Sequence, residues 1–105
     1  MKLITKEIEK RLNAAPLYST EGKAEKKVIC KFFNPYGAGT WYVFEAEKQE
    51  DGDWLFFGLV ETQCTELGYF TLSQLESVRI GWFGGKIERD KYFDGIYKNG
   101  EITEC

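Results

Sequence analysis

The sequence contains no histidine, and that single absence removes the commonest general base, proton shuttle and metal ligand. Catalysis of the serine–histidine type is excluded with it. Cysteine is scarce too: Cys30, Cys64 and Cys105 are odd in number and widely spaced, which fits reduced thiols and neither a disulfide framework nor a zinc site. Cys105, at the extreme terminus, reads as an exposed thiol that cross-links in air. No run approaches the ~20 apolar residues of a membrane span, and MKLITKEIEKRL carries charges too often for the apolar centre of a signal peptide. A cytoplasmic protein with no membrane partner is expected. Gly81, Gly84 and Gly85 flank Trp82-Phe83 without phosphate-loop spacing or the Lys-Ser/Thr that completes such a loop. There is no internal repeat or low-complexity tract, and no cofactor is implied.

What the chain does have is aromatic residues, concentrated between turn signals. The stretch KFFNPYGAGTWYVFEAEKQEDGDWLFFGLVETQCTELGYF, residues 31–70, holds most of them. The whole chain, at 105 residues, has room for one domain with one core. The net charge is −3 but unevenly spread: residues 1–31 carry eight Lys/Arg against four acids, residues 32–70 one Lys against seven. An acidic domain without clustered basic residues disfavours direct nucleic-acid binding. Glu45, Glu47, Glu50, Asp51, Asp53, Glu61 and Glu66 would suit a partner with a basic surface, although solvated turns and strand faces have the same composition.

Local patterns set the elements. Thr5 is a suitable N-cap with Glu7 and Glu9 near the positive end of a helix over 6–13, ended before Pro16. Residues 19–27, STEGKAEKK, read as a mobile polar connector. VICKFF, TWYVFEAE and WLFFGLVE read as an antiparallel meander over 28–61, with NPYGAG and the Asp51-Gly52 pair as its turns. Along the middle strand Trp41, Val43 and Glu45 alternate with Tyr42, Phe44 and Ala46, and Gly58 marks a bulge or a close approach. GYF at 68–70 reads as a short strand leading into a helix over 72–79, where Thr71 and Gln74 have capping-box spacing and Leu72, Leu75 and Val78 share a face. The C-terminal part reads as an extended or hairpin segment with turns near Asp94-Gly95 and Asn99-Gly100. The fold class expected is α+β: one domain over 1–105, an antiparallel sheet of three to five strands with two short helices on its apolar face.

Three constellations compete for function. Glu45 and Glu47, on one strand face, would make a carboxylate site if Glu61 or Glu66 approached them; exposed strand acids are the plainer reading. Arg89, between Glu88 and Asp90, could fork onto an anion or close an internal ion pair that pins the C-terminal segment. Trp82 and Phe83 turn inward as core, or project from a loop as a binding anchor.

Taken together, LITKEIEKRL, KFFNP, TWYVFEAE, DWLFFGLVE, ELGYFTLSQLESVR and KIERDKYF resemble a domain-of-unknown-function family of short proteins encoded on bacterial plasmids, conjugative elements and phages. The resemblance runs from Leu3 to Phe93, and ELGYFTLSQLESVR and IERD are its most specific parts. It implies cargo of a mobile genetic element and transfers no catalytic residue. The function expected is therefore a non-catalytic protein-binding accessory that counteracts a host defence system through an acidic, aromatic-rich surface formed by Trp41, Glu45, Glu47, Trp54, Trp82, Phe83 and Arg89. The alternative is a small-molecule or nucleotide binder, or a minor hydrolase, with Arg89 on an anionic group and Glu45, Glu61 or Glu66 around it. Single-strand binding by stacked Trp41, Tyr42 or Trp54 needs adjacent basic residues, and only Lys31 and Lys48 are nearby.

Overall fold

The computed structural model describes residues 2–105. Along the chain they form helix α1 (Lys6–Asn13), β1 (Glu25–Lys27), β2 (Cys30–Phe33), β3 (Thr40–Lys48), β4 (Trp54–Glu61), β5 (Thr65–Thr71), helix α2 (Leu72–Ser77), β6 (Glu88–Arg89), β7 (Gly95–Lys98) and β8 (Glu101–Glu104). β2 to β5 run as a meander, and β6 joins the far side of β2 to give a five-stranded antiparallel sheet of order β5-β4-β3-β2-β6. A second, three-stranded antiparallel sheet has the order β1-β7-β8. The architecture is α+β, as the sequence pattern predicts.

Both helices begin where the sequence caps them. Thr5 Oγ1 accepts from the Ile8 amide at 3.2 Å, and Thr71 and Gln74 close a reciprocal capping box. α2 is shorter than the 72–79 expected, because Val78 is already extended, with ψ 132°. Leu12 of α1 and Leu75 of α2 cover one face of the large sheet, where they meet Phe32, Val43, Ala46, Trp54, Phe56 and Phe70.

The opposite face carries a second cluster of Val28, Tyr42, Phe44 and Leu59, which Phe93 and, from the small sheet, Tyr97 and Ile102 cover. Phe44 lies 5.1 Å from Tyr97 and Tyr42 lies 5.6 Å from Phe93, ring to ring. Residues 19–27 are correspondingly not a free connector. Lys26 pairs with Tyr97 in the small sheet, and backbone pairing of this kind leaves no apolar signature in EKK.

β3 departs from simple alternation. Its register against β4 shifts between Val43 and Glu45, so that Phe44 is an extra residue. A bulge of this type reverses the side-chain parity of the residues beyond it. Val43 and Ala46 both face the helices, while Glu45 pairs with Phe57 on the opposite face. Gly58 sits across from the bulge: a Cβ there would lie 1.7 Å from the Tyr42 carbonyl oxygen, so only glycine admits that backbone.

Candidate functional site

The structure scatters the residues singled out from the sequence, and burial decides which of them a partner can touch. Trp54 is buried in the helix-covered core, which corrects its assignment to a contact surface. It opens β4 on the face that Phe56 also occupies, so the ring turns toward the helices although Asp53 precedes it and Lys48 lies opposite. Trp41 is half-buried against the same core.

Glu45 is 3% exposed, so it too leaves the set of surface residues. Its carboxylate accepts the amide N–H of Tyr18 at 2.7 Å and that of Thr20 at 2.9 Å, together with the Thr20 hydroxyl. A buried carboxylate is tolerated when donors of this kind replace its water. The bonds hold the loop after α1 against the sheet, including Tyr18 in the left-handed region at φ 72°. Glu47 is exposed and belongs with Glu50 and Asp51 to the acidic turn between β3 and β4. No carboxylate site assembles around the pair: Glu61 pairs with Thr40 and Glu66 with Val60, toward the other end of the ladder.

Arg89 acts as a clamp. Its Nη1 donates to the carbonyls of Lys2 at 2.8 Å and Leu3 at 2.6 Å, drawing the N-terminal segment onto the sheet where Leu3 is buried. The neighbouring ion pair is Lys31 with Asp90, at 3.7 Å. A role for Arg89 on an anionic ligand with Glu45 around it is therefore not what the geometry builds. Burial pushes the nearby Cys30 thiol up to about 12, against the pull of Arg11 and Arg89. Cys64 and Cys105 are free and exposed.

Trp82 is the opposite case. It is 98% exposed, at the tip of a turn whose base is a two-way backbone bridge: the Ile80 amide donates to the Gly85 carbonyl at 2.7 Å and the Gly85 amide to the Ile80 carbonyl at 2.8 Å. Gly81 and Gly84 supply the left-handed φ values, 66° and 69°, that close the turn. The core reading of these rings is corrected, because four residues between bridged ends leave an indole no interior to enter. Phe83 stacks edge-on against Tyr36 at 4.9 Å and against Trp82 at 5.9 Å. Gly85 makes that stack possible, since a Cβ would lie 2.5 Å from the Tyr36 ring and 2.6 Å from Phe83.

Sequence reasoning misses Tyr36. It comes from the loop between β2 and β3, where Asn34 folds back: Oδ1 accepts the Tyr36 amide at 2.8 Å and Nδ2 donates to the Ala38 carbonyl at 3.2 Å. The Asn34-Pro35 pair is a sequence signal for such a turn, but not for the ring that the turn presents. Tyr36, Trp82 and Phe83 together form an exposed aromatic knuckle on a pinned base. The knuckle and the acidic turn occupy opposite ends of β3, a strand of nine residues, or about 30 Å at ~3.3 Å per residue. Charge and exposed rings thus make two surfaces, not one.

Residues 3–101 match the model of a family described as "Protein of unknown function (DUF2958)". The chain belongs to that family. The DUF2958 match takes in the knuckle, the bulge and the Glu45-held loop, so all three lie within the family's domain. No curated protein and no solved structure matches the chain. Among the described residues no helix is long and apolar enough to cross a membrane.

Proposed function

We propose that this DUF2958 protein is a non-catalytic binding protein whose aromatic knuckle is its principal anchor on a partner protein. The observation that carries the reading is the nearly complete exposure of Trp82 on a turn already fixed by the Ile80–Gly85 bridge. Exposed tryptophan is costly to leave in water and is enriched among the few residues that dominate interface energy. A fixed tip also loses little conformational freedom on binding. The acidic turn of Glu47, Glu50 and Asp51 favours a partner with a basic surface, engaged separately from the knuckle. The resemblance to proteins carried on mobile elements supports a host or element-encoded partner, with a component of host defence as the target.

The test is quantitative affinity capture from host lysate with the wild type and Trp82→Ala, followed by titration of the recovered protein. Truncating a dominant anchor costs about 2 kcal/mol or more, roughly thirtyfold in Kd. Absence of a saturable partner, or equal affinity of the two forms, would refute the proposal.

A second reading keeps small-molecule binding but moves it away from Arg89. The cleft between the end of α1 and β1, about 540 Å³, is lined by Arg11, Lys23 and Lys27 with a single acid, Glu25, and by the apolar Ile29, Phe44 and Ile96. A net-basic lining with apolar side chains suits an anion with an apolar or aromatic body, such as a nucleotide. Thermal-shift screening against nucleotides discriminates, since a ligand of that cleft raises Tm and loses its effect in Arg11→Ala.

A further inference from the structure

We infer that two copies of this chain associate through strand β5, paired antiparallel about a two-fold axis at Gly68. β5 is an outer strand of the large sheet, seven residues long, and faces no further strand among the described residues. Long open edges are usually blunted by lysine, proline or a covering element. TELGYFT holds neither lysine nor proline, and its only charge is Glu66.

Three observations identify the occupant as a second copy. The first is an apolar surface that stops at the edge: Leu67 is 44% and Tyr69 54% exposed, beside half-buried Phe57 and exposed Tyr18. Pairing about Gly68 sets Leu67 opposite Tyr69 of the second copy, and Tyr69 opposite its Leu67. The apolar face then continues unbroken across the joint.

The second is charge. In that register Glu66 lies opposite Phe70 of the second copy, so the two like charges never face each other. Thr65 and Thr71, both uncharged, meet at both ends, where the Thr71 amide and hydroxyl already serve the α2 capping box.

The third is Gly68 itself. Its backbone has no left-handed φ, and a Cβ built there would meet nothing within 4 Å. The fold of one copy gives no reason for glycine, which weakens a strand interior. The register shows no bulge at Gly68, and close approach of another backbone is one of the roles a strand glycine serves.

Charge placement across the joint tests the register as well as the association. Sedimentation of the full chain over a range of concentrations is expected to show a reversible dimer. Leu67→Lys and Tyr69→Glu, both at exposed positions, each raise the dissociation constant about tenfold or more while circular dichroism stays native, because each places a charge against an apolar side chain twice per dimer. Mixing the two variants restores association as a heterodimer, in which the lysine introduced at position 67 of one copy lies opposite the glutamate introduced at position 69 of the other. A monomeric wild type, a dimer indifferent to both substitutions, or a mixture that stays monomeric overturns the inference. So does a monomeric wild type whose β5 captures only an extended peptide of another protein.

Discussion

At the scale of single residues, neighbours in sequence do not announce the fate of a side chain. Glu45 and Glu47 are two residues apart and chemically alike, yet one is buried as an acceptor of three donors and the other lies in solvent. Glu45→Gln keeps the shape but turns an amide NH₂ toward N–H groups. A loss of about 1–3 kcal/mol is expected from donors left without an acceptor, measured by urea unfolding. Hydrogen exchange at the Tyr18 and Thr20 amides should accelerate selectively. Unchanged exchange at both would show that the loop is held by something else. The two tryptophans teach the same lesson in reverse. Trp54 sits in a run of apolar strand residues and is interior, whereas Trp82 is bracketed by glycines that close a turn too tight to bury it. The glycines are visible in the sequence; the bridge that makes them a turn base is not.

At the scale of elements, the meander and both helices are legible because each is written locally. Runs of β-branched and aromatic residues mark β2 to β4, with alternation in β3, the Asp51-Gly52 and Asn99-Gly100 pairs mark turns, and the Thr71–Gln74 spacing marks the start of α2. β1 and β6 are not legible, since three and two residues gain their structure from partners far along the chain. The bulge falls between these cases. Gly58 hints at it, but the parity change at Phe44 depends on which strand lies opposite. Gly58→Ala is expected to cost about 3 kcal/mol, at the upper end for overpacking, because the atom it meets is the Tyr42 backbone and not a side chain that can swing aside. A chemical denaturation curve suffices as the measurement. A change below about 1 kcal/mol, within the range of tolerated swaps, would mean that the bulge relaxes.

For the molecule as a whole, the large sheet is covered on both faces, and the second cover is held partly through Tyr42. Burial, then the adjacent Glu61 carboxylate, pushes the Tyr42 phenol up to about 12. The unfolded chain ionises that phenol near 10, so between about pH 10 and 12 the unfolded state sheds a proton that the folded state retains. Stability from this group is complete below about pH 10 and is lost as pH rises toward 12, by up to about 2–3 kcal/mol. Tyr42→Phe removes the titration, and its unfolding free energy should fall less steeply than the wild type's between about pH 10 and 12. Parallel curves would assign the alkaline loss to other groups. This inter-sheet joint is not readable beforehand, because it requires a small sheet built from distant parts of the chain.

The knuckle stands at the β2 and β6 side of the large sheet, three strands away from β5. Joining two copies along β5 would leave the two tryptophan tips separated by about 34 Å or more, at ~4.8 Å per strand. Neither tip would shade the other. Such a pair is bivalent: it can bridge two target molecules, or grip one repetitive target with a second contact formed at high effective concentration. A weak individual anchor then becomes a lasting hold through avidity alone.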